Sequence, residues 1–176
     1  INAHSHSGMT FLRSMADDMP LQQWLNEKVF PIEEKLTQED IYFFSELAIL
    51  EYLTSGITTN FDMYLNPEAI VHASLDMNYR TVLCGAVNDF CLSVEDVERC
   101  FNAYNQKNSL ISYILGFSHE YTNSKEKIQQ VAALSHKYKA PVYTHLSETE
   151  YEVNTCKEKT GRSPVEYLCD LGVYDY

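Results

Sequence analysis

Asn2-Ala3-His4-Ser5-His6-Ser7-Gly8 and Pro141-Val142-Tyr143-Thr144-His145-Leu146-Ser147-Glu148 are the two stretches on which the fold turns. In an extended strand, residues i and i+2 leave the same face. His4 and His6 therefore present two imidazoles side by side from one rigid element. The small Ala, Ser and Gly around them leave room for an ion and a substrate above the strand end. His-x-His is a weak motif by itself, since solvated loops produce it by chance. The second stretch strengthens it: a short apolar strand runs into His145, and Glu148 follows closely. Metal-assisted hydrolysis needs a third imidazole with an unliganded carboxylate beside it. The ion lowers the pKa of a bound water, and the carboxylate carries the proton to the leaving group. Singly, His145 also reads as a hydrogen-bonded core histidine and Glu148 as a solvated helix start; the combination favours the site.

Outward from these stretches, short apolar segments alternate with amphipathic ones. Strands are predicted over Ile1–His6, Thr58–Tyr64, Arg80–Val87, Ser112–Ser118 and Val142–Ser147. Helix ends are legible between them. Thr37 caps a helix that runs through Phe44, Leu47 and Ala48 to Gly56. Asn66-Pro67 and Ser163-Pro164 each set an N-cap with proline at the first helical position. Ser93 with Asp96 resembles a capping box, Asn123 or Ser124 opens the helix ending near Lys139, and Gly172 ends the last one. Repeated β-then-α units imply parallel strands with right-handed crossovers. That alternation permits a doubly wound sheet as well as a barrel. The histidines favour the barrel, because they fall at the C-terminal ends of strands, where such barrels keep their active sites.

The run from Asn2 through Leu36 contains the first stretch, Met15-Ala16-Asp17-Asp18, and Trp24-Leu25 through Pro31-Ile32-Glu33-Glu34. With Thr144-His145-Leu146-Ser147-Glu148-Thr149 it resembles the amidohydrolase superfamily, and within it the 5-methylthioadenosine/S-adenosylhomocysteine deaminases and related chlorohydrolases. The resemblance implies an α/β fold, a partial (β/α)8 TIM barrel of about the first five β/α units. It assigns His4, His6 and His145 to one divalent metal ion, zinc first, with iron, cobalt or manganese as alternatives, and Glu148 to proton transfer. It also implies a metal-binding His on a sixth strand and an Asp on an eighth. Residues 1–176 are thus expected to be the N-terminal part of a metal-dependent hydrolase barrel, with the rest of the barrel and the flanking β-sandwich outside them. On that reading residues 1–176 alone lack a complete site, and the activity belongs to the parent protein.

Substrate contacts follow from the same resemblance. The Glu at the position of Glu33 binds ribose hydroxyls; the plainer reading is a carboxylate favoured in a helix's first turn. Trp24 walls the adenine-thioether side of the pocket, or is simply core. His119 ends the fourth strand, where the family has a substrate-binding His; here Phe117-Ser118 replaces the usual Gly-Pro before it. Asp62 lies at the second strand's end and is expected to support its neighbours. His72 and His136 have no partner at ligand spacing.

A net charge of −12 disfavours tracking of nucleic-acid phosphates. No apolar run approaches the about 20 residues needed to cross a bilayer, and no signal-peptide pattern opens the sequence. Cys84, Cys91, Cys100, Cys156 and Cys169 lack CxxC spacing and read as reduced thiols of a cytoplasmic protein. The expected partner is a small nucleoside or heterocycle, with no nucleic acid and no membrane; exposed strand edges leave homo-oligomers open. The expected reaction is deamination of an S-adenosylhomocysteine- or 5-methylthioadenosine-like nucleoside to its inosine analogue. Alternatives are the same scaffold acting on a free base, an s-triazine or a cyclic amide, and a truncated, non-catalytic metal-binding or interaction fragment.

Overall fold

The computed structural model describes residues 1–15 and 18–175. Ala16 and Asp17 of the first-loop motif therefore lie outside the described residues. The fold is α/β, and its five parallel strands follow sequence order, β1-β2-β3-β4-β5, as in the first five β/α units of a (β/α)8-type barrel. The chain divides into two compact units, Ile1–Thr81 and Val82–Tyr176.

In the first unit, β1 (Asn2–Ser5) pairs in parallel with β2 (Thr59–Asp62), Asn2 opposite Asn60 and Ser5 opposite Asp62, with an irregularity between. Between these strands lie α1 (Leu21–Trp24) and α2 (Phe30–Glu33), joined by a π-type turn at Leu25–Val29, and then α3 (Gln38–Thr54). Thr37 closes a full capping box with Asp40, and Gly56 follows the helix in the left-handed conformation at φ +76°. α4 (Pro67–Asp76) has the expected proline in its first turn. Asn66 does not cap it as expected: it adopts φ +49° and makes no side-chain cap bond, since a left-handed residue directs its side chain away from the first-turn amides. Ile49, Ala73 and Tyr79 form the buried centre, with Tyr42, Tyr52 and Met77 packed around them.

The chain passes through β3 (Arg80–Cys84) into the second unit, which carries α5 (Val94–Tyr104), β4 (Ile111–Gly116), α6 (Lys125–Tyr138), β5 (Val142–Tyr143), α7 (Glu150–Thr160) and α8 (Pro164–Asp170). Ser93 with Asp96 and Ser163 with Glu166 form complete capping boxes, and Ser124 caps α6. β4 pairs in parallel with β5, Leu115 opposite Val142 and Gly116 opposite Tyr143. Leu83, Val97, Leu115 and Ile128 are buried on this unit's strands and helices, and Val87 and Phe117 are buried just past β3 and β4, where they form an isolated bridge. The fifth strand stops at Tyr143, short of the expected Ser147, because the backbone turns off after it to reach His145 and Glu148. Among the described residues no helix is long and apolar enough to cross a membrane.

Candidate active site

In the first unit, His4 and His6 bracket the end of β1. Their Nε2 atoms lie 3.2 Å apart. Two nitrogens bound to one tetrahedral ion at about 2.0–2.1 Å sit roughly 3.3 Å from each other, so the spacing suits a shared cation. His6 Nδ1 lies 2.6 Å from the Met63 carbonyl oxygen. Donation there keeps the proton on Nδ1 and leaves the Nε2 lone pair for an ion.

A buried polar network fixes this strand end. Asn60 Nδ2 donates to Ser5 Oγ (2.9 Å) and Asp62 Oδ2 (3.1 Å), and the Ser7 amide donates to Asp62 Oδ1 (3.1 Å). Ser5 Oγ donates to the Phe61 carbonyl at 2.6 Å. Burial pushes the Asp62 carboxyl up to about 6, with the bonds from Ser7 and Asn60 pulling the other way. Gly8 does not leave open space as its size suggested. A Cβ there would lie 2.3 Å from Tyr64 Cε1, so the glycine accommodates the Tyr64 ring. The buried Tyr64 hydroxyl lies near Glu33, whose carboxyl pKa is raised by burial and lowered in part by that hydroxyl. Trp24 is half-buried, and its Nε1 donates to the Met15 carbonyl at 3.3 Å.

In the second unit, His145, His119 and Glu148 come together. His145 Nδ1 lies 2.9 Å from the Ser118 carbonyl oxygen, fixing the same tautomer as in His6. The His119 and His145 rings stack at 4.4 Å between centroids with planes 12° apart. His119 Nδ1 meets Ser118 Oγ at 2.9 Å, and its Nε2 meets Glu148 Oε2 at 3.3 Å. Burial, then the neighbouring His145, lowers the His119 pKa, while Glu148 raises it. His119 is buried, whereas the Glu148 side chain keeps 42% of its surface exposed. That is where a carboxylate exchanging protons with a bound molecule has to be.

A family model described as "Amidohydrolase family" matches residues 1–175. The chain belongs to the amidohydrolase family. A relative from Caldicellulosiruptor saccharolyticus, named 5-methylthioadenosine/S-adenosylhomocysteine deaminase, is 42% identical over 175 residues, 99% of this chain and 41% of the relative. A 5'-deoxyadenosine deaminase from Methanocaldococcus jannaschii is 38% identical over 182 residues, 99% of this chain and 43% of the relative. Among solved structures, an adenosine deaminase from Xanthomonas campestris with bound zinc superposes with TM-score 0.91 at 27% identity, covering 98% of this chain and 41% of that one. The chain thus spans about two fifths of the length of these amidohydrolases.

Sequence reading passed over two acids in this amidohydrolase chain. Glu152 is fully buried, and its carboxylate accepts the amides of Ser147 (2.6 Å) and Glu148 (2.7 Å). Glu120, just past His119, is buried beside it. A signal for Glu152 was present: Thr149-Glu150-Tyr151-Glu152 is a capping-box pattern. Thr149 does accept from the Glu152 amide at 3.2 Å, yet the Glu152 carboxylate reaches past the cap to the preceding loop. His72 and His136 lie on exposed faces of α4 and α6, and His136 Nε2 sits 3.3 Å from the Gly172 carbonyl.

Proposed function

We propose that the protein carrying this chain is a metal-dependent aminohydrolase. Its substrate is an adenosine-type nucleoside of the S-adenosylhomocysteine or 5-methylthioadenosine kind, converted to the inosine analogue with release of ammonia. The observation that carries this reading is Glu148 held against His119 Nε2, with His145 stacked on the same imidazole. Membership of the amidohydrolase family and the deaminase names of its relatives support it.

For a divalent ion, most simply zinc, the His4 and His6 Nε2 atoms have the spacing of two ligands, and hydrogen bonds fix Nδ1 as donor in His6 and, separately, in His145, leaving each Nε2 for an ion. Bound there, the ion supplies Lewis-acid chemistry that lowers the pKa of water. Glu148 takes the proton from the attacking water and delivers it to the ring nitrogen beside the attacked carbon. A second transfer goes to the departing amine, so that a C–O bond forms, the C–N bond breaks and ammonia leaves. His119, kept neutral by burial, donates a hydrogen bond to oxygen developing at that carbon. Glu33 accepts the two ribose hydroxyls on one carboxylate.

The test is Glu148→Gln in the full-length protein, assayed by ammonia release from S-adenosylhomocysteine and 5-methylthioadenosine. Turnover falls by at least about 10²–10⁴-fold, while metal content by elemental analysis stays unchanged. Near-parental deamination by Glu148→Gln would remove Glu148 from the role given to it.

A further inference from the structure

Glu152 and Glu120 lie behind the Glu148 loop, and nothing in the proposed chemistry uses them. Glu152 spends both carboxylate oxygens on two consecutive loop amides, Ser147 to Oε1 at 2.6 Å and Glu148 to Oε2 at 2.7 Å. Those are charge-assisted lengths. Between them Ser147 sits at φ +55°, a left-handed conformation costly for any residue with a Cβ. Such strain persists only where the surroundings over-determine it. Glu120 enters from the loop after β4, and neither of its buried carboxyl oxygens has a well-formed hydrogen bond from a donor among the described residues.

Two carboxylates packed together out of water do not both ionise. Glu152 already accepts from two amides. The shared proton therefore falls to Glu120, where a hydroxyl donating to Glu152 partners one of its two orphaned oxygens.

We infer that Glu152 is a positioning residue for Glu148: with protonated Glu120 behind it, its carboxylate holds Ser147 left-handed and aims the Glu148 side chain at His119 Nε2. The inference rests on the aminohydrolase reading for its catalytic consequence, though not for its geometry. Consistently, burial and then Glu152 push the Glu120 carboxyl up to about 8, the Glu120 and Tyr121 amides offsetting only part of this.

The experiment compares Glu152→Gln, Glu120→Gln and the double variant Glu152→Gln/Ser147→Gly in the full-length protein, by crystal structure and by steady-state kinetics. Gln at 152 offers one acceptor where two are needed, whereas Gln at 120 keeps a neutral donor facing Glu152. In Glu152→Gln, Ser147 leaves the left-handed region and Glu148 swings off His119. Its kcat drops roughly 10- to 100-fold, as displacement of a catalytic group by about 1 Å does, with KM and metal content unchanged. Glu120→Gln keeps Ser147 at positive φ and a kcat about tenfold or more above that of Glu152→Gln. Glycine at 147 takes the left-handed conformation without a Cβ penalty and restores part of the lost kcat.

An unmoved loop in Glu152→Gln, or a Glu120→Gln loop distorted as far as that of Glu152→Gln, overturns the inference. If Glu152→Gln does not fold, the Glu120→Gln structure decides alone: Ser147 at positive φ supports the inference, and its loss overturns it. A parent protein that deaminates none of the adenosine thioethers defeats the proposed function, while the Ser147 geometry still decides the loop.

Discussion

Gly116→Ala is the substitution whose cost the structure defines most sharply. A Cβ at position 116 would lie 2.3 Å from the Tyr143 carbonyl oxygen of β5 and 2.5 Å from the Gly85 carbonyl oxygen that follows β3. Both atoms are backbone, so no rotamer change relieves the overlap. β4 lies between the two neighbouring strands, and relief from one oxygen worsens the other. Each neighbour has to retreat by at least about 0.5 Å to reach a tolerable contact in a close-packed interior. Overpacking of this kind costs about 1–3 kcal/mol. The ladder bonds in the way are already long, Phe117 N to Tyr143 O at 3.3 Å and Val87 N to Gly116 O at 3.4 Å. Their loss adds about 0.5–1.5 kcal/mol each, for a total of roughly 2–6 kcal/mol. The consequence reaches the site, because the Ser118 carbonyl accepts from both the His145 amide (3.1 Å) and His145 Nδ1 (2.9 Å). Urea unfolding of the full-length protein, with Gly161→Ala as reference, is the assay. Gly161 has φ +72° and nothing within 4 Å of its would-be Cβ, so alanine there costs only the left-handed penalty of about 1–2 kcal/mol. A Gly116→Ala midpoint no lower than that of Gly161→Ala would refute the steric reasoning.

Two further outcomes concern Glu33 and Glu120. Glu33→Gln raises KM for adenosine thioethers by about tenfold or more, the loss of a charge-assisted hydrogen bond, and leaves hydrolysis of a free base such as guanine unaffected; equal losses on both remove the ribose contact. Glu120 sets a pH dependence of stability: its folded pKa of about 8 lies above the ordinary 4.5, so in that window the folded chain holds a proton that the unfolded chain has lost. The associated stability is complete below 4.5 and falls by up to about 1.4 kcal/mol per pH unit as pH rises toward 8. Urea midpoints measured from pH 5 to 9 show this slope in the parent and a flatter one in Glu120→Gln; parallel profiles contradict it.

What the sequence made legible are features that local chemistry decides. Thr37 with Asp40, Ser93 with Asp96 and Ser163 with Glu166 are read from spacing alone, because a capping box satisfies amides within one turn. The apolar runs located all five strands for the same reason, with ends off by up to four residues where strand and loop share their composition. Asn66 misled because asparagine serves equally as an N-cap and as a left-handed residue, and only the approach of the chain to α4 chooses between them. The π-type turn at Leu25–Val29 leaves no compositional mark either.

The candidate site divides along the same line. Imidazoles at i and i+2 announce themselves, whereas the groups that hold a site's backbone do not. Asp62 reads as a supporting residue only from its place at a strand end, Glu120 and Glu152 carry no mark at all, and all three are buried. Burial of a carboxylate is tolerated only against several donors or a shared proton, and both solutions need partners distant in sequence: Ser7 lies 55 residues from Asp62, and Glu120 reaches Glu152 from another strand's end. An acid that spends its charge on loop amides beside a functional carboxylate cannot be recognised by residue type or spacing, only by where its oxygens end. By that criterion Glu152 belongs with Glu148, although the sequence separates them by one helical turn and gives both the same side chain.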